Sequence, residues 1–143
     1  RKMRINTRIR YGLRTMIEIA GSDTSNGVLQ KDISANQNIS FKYLDSIISC
    51  LKLKGLISTQ RGKGSGYILA RSSDEITMYD IYTAFETISV VDCLQNNQIC
   101  EISEHCMAQC YWNEFKTDFV EILKKKTLTA LIKEYSKNSA VLL

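Results

Sequence analysis

From Thr7 to Ala20 the apolar residues Ile9, Leu13, Met16, Ile17 and Ala20 recur at steps of three and four, which places them on one face of an amphipathic helix that Gly21 ends. A polar turn, SDTSNG, separates this helix from LQKDISANQN, a short helical stretch that turns Ile33 inward beside the flanking Leu29. Leu29 stands where a Ser, Thr or Asp would normally satisfy the free N–H groups, so this helix starts with a poor cap. Ser40 caps the next helix well; its stripe is Tyr43, Leu44, Ile47, Ile48, Leu51 and Leu53, and Gly55 closes it. Beyond Gly55 the period changes. Leu56–Gln60 and Tyr67–Ala70 read as two strands, and RGKGSG between them supplies the glycines of a hairpin tip.

Thr77 opens a fourth helix, with Asp80 three residues on as a near capping box and Ile81, Ala84 and Phe85 facing inward; it ends near Glu86. A β-branched run, Ile88 to Val91, leads into a polar stretch without regular period. Helical spacing returns at Tyr111. Phe115, Phe119, Ile122 and Leu123 share one stripe, and after a lysine triplet Leu128, Leu131, Ile132 and Tyr135 form a second. The chain offers too few neighbours to cover both stripes, so one is expected to pair with its copy in a two-fold dimer; the alternative is that it folds back onto the core. Two short helices around a tight turn, a preceding helix and a hairpin give the predicted fold: mainly α, a winged helix-turn-helix with a two-stranded wing and a long C-terminal dimerisation helix. The division expected is 1–87 for the winged-helix domain, 88–110 for the irregular stretch and 111–143 for the dimerisation and C-terminal helices.

Composition sharpens this picture. At 143 residues and 44% hydrophobic the chain can bury one real core, and the absence of proline favours helices with polar turns. No apolar run approaches the ~20 residues of a membrane-crossing helix. An odd number of cysteines and no recognisable secretion signal point to a cytoplasmic protein. The net charge of +4 is split: residues 1–71 hold thirteen Lys/Arg against four Asp/Glu, and residues 72–143 hold six against eleven. A basic first half implies an anionic partner, nucleic acid or a membrane surface.

Double-stranded DNA fits the basic half better. The first turns of the Ser40 helix present Ser40, Phe41, Lys42, Tyr43 and Ser46 at the end that a helix-turn-helix points into the major groove. Arg61, Lys63, Gly64 and Ser65 lie at a tip able to approach a phosphate backbone or a narrow groove. Nucleotide binding by RGKGSG is disfavoured, because it lacks the GKS/T ending of a P-loop and precedes a strand instead of a helix.

Four of the five cysteines, Cys93, Cys100, Cys106 and Cys110, fall in the irregular stretch, separated by six, five and three residues. Thiolates are soft ligands suited to iron–sulfur clusters, zinc or copper(I). Only Cys106 and Cys110 approach the short knuckle of a structural zinc site, so zinc is the weaker metal. A redox disulfide and inert thiols stay open beside a cluster. Catalysis has little to work with: one histidine, no nucleophile–base pair evident from spacing and no cofactor loop, so an enzyme is not expected. Cys50 sits among the apolar residues of the Ser40 helix and is expected in the core.

With these parts in order, MRINTRIRYGLRTM, ISFKYLDSIISCLKLKGLI, RGKGSGYILAR and EITMYDIYTAFE resemble the opening helix, recognition helix, wing and sensor-leading helix of the IscR/NsrR/CymR family of bacterial winged-helix transcription regulators. That resemblance implies a homodimer on a palindromic operator and a [2Fe–2S] or [4Fe–4S] cluster held by Cys93, Cys100 and Cys106. The fourth ligand departs from the family pattern. Where some relatives carry a His three residues after the last of these cysteines, this chain has Gln109; where others use a carboxylate in the first helix, it has Arg10. Cys110, His105 or a residue of a partner subunit would have to substitute. The alternative the resemblance leaves is a cluster-free regulator answering to a partner protein, a small molecule or thiol oxidation.

Overall fold

Helix α1 (Thr7–Ala20) starts where the Asn6 side chain accepts the Ile9 N–H at 2.9 Å, and Ile9, Met16 and Ile19 form its buried line. The computed structural model describes residues 4–23, 25–94, 101–102 and 105–141. Leu13 and Ile17, which share the apolar face in sequence, are only half-buried, because α1 is rotated so that Gly12 and Thr15 point inward. Thr15 is fully buried, and its hydroxyl donates to the Tyr11 carbonyl at 2.8 Å, which leaves no unpaired polar atom there. Gly12 is a packing residue. A Cβ at that position would lie 2.2 Å from Cε2 of Phe85, so the missing side chain lets the Phe85 ring reach the α1 backbone.

Helix α2 (Gln30–Gln37) has Leu29 before it and no side-chain cap bond, as its sequence indicates. It ends at Asn38 in the left-handed region, φ 52°, a residue type that tolerates this conformation. Two residues later Ser40 caps α3 (Phe41–Leu53), accepting the Tyr43 N–H at 3.1 Å. Strands β1 (Ile57–Thr59) and β2 (Tyr67–Leu69) pair antiparallel, with Ile57 opposite Leu69 and Thr59 opposite Tyr67. Both are shorter than the extended patterns around them. α4 (Met78–Thr83) carries the capping box of Thr77 and Asp80 complete, and a 3-10 turn covers Asp92–Leu94.

α5 (Met107–Lys125) begins four residues before Tyr111, so Cys110 belongs to its first turn. α6 (Leu128–Val141) follows after a two-residue corner that is stitched to the entry of α4: Met78 N–H donates to the Lys126 carbonyl at 3.0 Å and Leu128 N–H to the Ile76 carbonyl at 2.8 Å.

Met16, Ile33, Leu44, Ile47, Leu51, Leu56, Ile76, Ile81 and Leu128 form one core drawn from all the helices except α5, plus the strand segment. Each such side chain contributes about 1.5–3 kcal/mol on burial. The two C-terminal stripes have different fates. Leu128 and Ile132 of the second fold back onto the core, whereas on α5 only Leu123 is buried, and Met107, Tyr111 and Ile122 remain 87%, 58% and 65% exposed. Among the described residues no helix is long and apolar enough to cross a membrane.

Candidate nucleic-acid interface and cysteine site

The amino end of α3 is free to meet a partner. Ser40, Phe41, Lys42 and Ser46 are exposed, and Ser46 Oγ donates to the Tyr43 carbonyl at 2.9 Å. Tyr43 differs from them: it is half-buried, with its ring edge-on to Tyr11 at 5.7 Å, so its ring packs α3 against α1. Two neighbours that the sequence pattern did not single out fix this turn. Gln30 at the start of α2 donates from Nε2 to the Phe41 carbonyl and to Asp45, and Arg14 of α1 bonds both the side chain and the carbonyl of Gln37. These contacts join residues 11 to 23 positions apart in sequence, and no local pattern signals them.

The wing is anchored at its base and open at its tip. Val28 and Tyr67 exchange backbone hydrogen bonds at 2.9 and 2.8 Å, Gly66 N–H donates to the Asn26 carbonyl at 2.8 Å, and the Gln60 amide donates to the Ser25 carbonyl at 3.0 Å. Gly66 is required by this closeness, since a Cβ there would stand 2.2 Å from the Val28 carbonyl oxygen. At the tip Gly62 and Gly64 take φ of 113° and 78°, and Ser65 Oγ donates to the Arg61 carbonyl at 3.1 Å. Arg61, Lys63 and Gly64 are exposed, and Ser65 is half-buried. Lys52 links reading helix and wing: its ammonium lies 5.8 Å over the Tyr67 ring and 3.4 Å from Thr59 Oγ1.

The cysteine stretch is placed at its two ends. Cys93 is half-buried in the 3-10 turn, Cys106 is half-buried at the N-cap of α5 without a side-chain cap bond, and Cys110 is exposed. Gln109 Nε2 donates to the Cys93 carbonyl at 3.0 Å, which ties the start of the stretch to the first turn of α5. Leu94, Gln109, Cys110 and Asn113 line a cavity of about 240 Å³ beside this bond. Cys100 lies outside the described residues. Cys93, Cys106 and Cys110 are free thiols, and among the described residues no three His, Cys, Asp or Glu side chains are gathered closely enough to hold a metal ion. His105 is exposed, and Arg10 is also exposed, with its guanidinium donating to Thr7 Oγ1 at 3.0 Å.

Cys50 is half-buried instead of lying in the core, because it stands off the buried line Leu44, Ile47, Ile48 and Leu51 of α3; Arg8 from α1 reaches it, with an Nη2–Sγ distance of 2.9 Å. The Arg8 guanidinium also sits 5.7 Å over the Phe85 ring.

Residues 5–134 match the Rrf2 family, described as an iron-dependent transcriptional regulator. The chain belongs to the Rrf2 family. It is 33% identical over 135 residues to protein rrf2 of Nitratidesulfovibrio vulgaris, a match covering 94% of this chain and 90% of that one. Among solved structures it is similar to T. potens IscR, with a TM-score of 0.74, 27% identity and coverage of 92% and 88%. It is similar as well to CymR, the global cysteine regulator of B. subtilis, with a TM-score of 0.71, 28% identity and coverage of 93% and 98%. This Rrf2 member is thus a transcription regulator with a DNA-binding winged helix, and its relatives are regulators, not enzymes.

Proposed function

We propose that this Rrf2 protein is a cytoplasmic homodimer that reads a palindromic operator with residues 1–87 and senses iron–sulfur, redox or nitrosative status through residues 88–110. Base edges would meet the α3 turn of Ser40, Phe41, Lys42, Tyr43 and Ser46, and phosphates the wing residues Arg61, Lys63, Gly64 and Ser65. Residues 111–143 would supply the dimer contact through the open face of α5. The observation that carries the dimer is the row Met107, Tyr111, Phe115 and Ile122, which is exposed along a helix whose other face packs on α4.

Cys93, Cys100 and Cys106 would hold the cluster, [2Fe–2S] or [4Fe–4S]. Their chemistry fits such a group in kind, since Cys93 and Cys106 carry uncommitted thiols at the two anchored ends of the stretch. A bound cluster supplies soft-ligand and one-electron chemistry that the protein's own side chains lack. Residues 88–110 join α4 to α5, so gain or loss of a cluster there would shift the spacing of two reading heads; a bias of about 1.4 kcal/mol between DNA-competent and incompetent dimers changes occupancy tenfold.

Iron and sulfide analysis after anaerobic purification tests this reading. The expected result is iron with a visible absorption band, lost when Cys93, Cys100 or Cys106 becomes serine, together with altered operator affinity. Iron-free protein whose operator binding ignores all three serine replacements overturns it. The free thiols among the described residues and the likeness to CymR favour a second reading, a cluster-free regulator switched by thiol oxidation or by a protein or small-molecule partner. In that case the protein is colourless and its operator affinity follows oxidant or partner concentration.

A further inference from the structure

The carboxyl end of α3, the outer side of α4 and the inner side of α5 enclose a cavity of about 340 Å³. It brings two lysines, Lys54 and Lys116, together with the hydroxyl residues Tyr79, Thr83 and Thr87 and the aliphatic side chains of Ile88 and Val120. A third cation stands close by, for the Lys124 ammonium lies 4.8 Å over the Tyr79 ring. Neither lining lysine has a carboxylate partner: among the described residues the ion pairs are Arg71 with Asp80 and Lys126 with Glu134. Two lysines on the lining of one cavity leave it a net positive charge that an anion would offset.

The remaining lining narrows the chemistry. Thr83 gives its proton to the Tyr79 carbonyl at 2.8 Å, so the donors left for a ligand are the two ammonium groups and the hydroxyls of Tyr79 and Thr87. Ile88 is buried and Val120 half-buried, which provides an apolar wall. No arginine fork lines the space, as bidentate phosphate recognition would use. The volume falls within the range of small-molecule sites.

We propose that this cavity binds a small aliphatic carboxylate, its anionic head between Lys54 and Lys116 and its chain against Ile88 and Val120. Lys54 is the C-cap of the reading helix and Lys116 belongs to the helix assigned above to the dimer, so an occupant touches both elements at their junction. The binding claim is independent of the cluster; only its regulatory use rests on the function proposed above.

Hexanoate serves as the probe, hexylammonium as the same chain with opposite charge, and inorganic phosphate as a head without a chain. Titration of the full chain, followed by methyl NMR, is expected to move the Ile88 and Val120 signals with hexanoate and not with hexylammonium. The K54Q/K116Q double variant is expected to weaken hexanoate binding by about tenfold or more, the scale of a lost charge-assisted hydrogen bond, and K54R/K116R to retain it. No response to hexanoate, an equal response to hexylammonium, or unchanged affinity in K54Q/K116Q with native thermal unfolding overturns the site. Tighter binding of phosphate than of hexanoate overturns the carboxylate assignment.

Discussion

Gln30 and Asp45 are joined across the helix-turn-helix: Gln30 Nε2 donates to Asp45 Oδ1 at 2.5 Å and to the Phe41 carbonyl at 3.2 Å. Since α2 has no cap of its own, the side chain at its first position is spent on orienting α3. Gln30→Ala is expected to leave the helices intact, to lower stability by about 1 kcal/mol, and to weaken operator binding severalfold. Fluorescence anisotropy on labelled operator beside a thermal melt checks both parts.

Arg61 and Lys42 are assigned different kinds of contact in the proposed complex. Arg61→Ala is expected to weaken binding to all duplexes alike and to reduce the salt slope by about one, as one phosphate contact is lost. Lys42→Ala is expected to change which operator variant is preferred. Binding isotherms across a salt series on two operator sequences distinguish the outcomes; identical slopes for Arg61→Ala and the parent would place the wing away from DNA.

Two wing glycines are predicted to differ. Gly66→Ala drives a Cβ into the Val28 carbonyl and is expected to cost about 1–3 kcal/mol, with loss of the base-of-wing hydrogen bonds. Gly64 has open space around its missing Cβ but a φ of 78°, so Gly64→Ala should cost only about 1 kcal/mol. Urea unfolding of both variants ranks them.

The open face of α5 makes a size prediction. Replacing Tyr111 and Phe115 together by glutamate is expected to convert the proposed dimer to a monomer by light scattering, with secondary structure retained and operator affinity reduced. An unchanged mass would assign the dimer contact elsewhere.

Tyr82 gives a pH signature. Burial first, and the Glu86 carboxylate second, raise its pKa above the usual 10.0, and its ring stands edge-on to Phe119 at 5.8 Å. Folding therefore favours the neutral phenol. Below the unfolded pKa this makes no difference to the pH dependence; above it the unfolded chain loses its proton first, so stability falls as pH rises through the folded value. Tyr82→Phe is expected to show a shallower loss of stability above about pH 10, read from unfolding free energies at several alkaline pH values.

Much of this architecture is legible in the residues because it is set locally. The Ser40 cap, the Thr77/Asp80 capping box and the glycine-rich tip each need only neighbours within four residues, and each stands where the pattern places it. What the pattern misses is long-range. Met107 to Gln109 has neither an apolar stripe nor a capping side chain, so the early start of α5 is hidden. Gly12 reads as a weak point in a helix until Phe85, 73 residues later in the chain, arrives beside it. The two C-terminal stripes look alike in sequence, because periodicity records an apolar face and not the identity of its cover; only the packing of Leu128 separates them. The cysteine spacing names a ligand type, whereas the bond from Gln109 to the Cys93 carbonyl depends on how the chain returns to α5.

Trp112 is the chain's only tryptophan, and it lies between the rings of Tyr111 and Phe115 at 5.1 and 5.9 Å, two residues beyond Cys110. Its emission therefore comes from one spot, at the border of the thiols and the uncovered helix surface. Subunit pairing and any coloured guest near the sulfurs would each alter that light, so the molecule carries its own optical gauge and needs no attached dye.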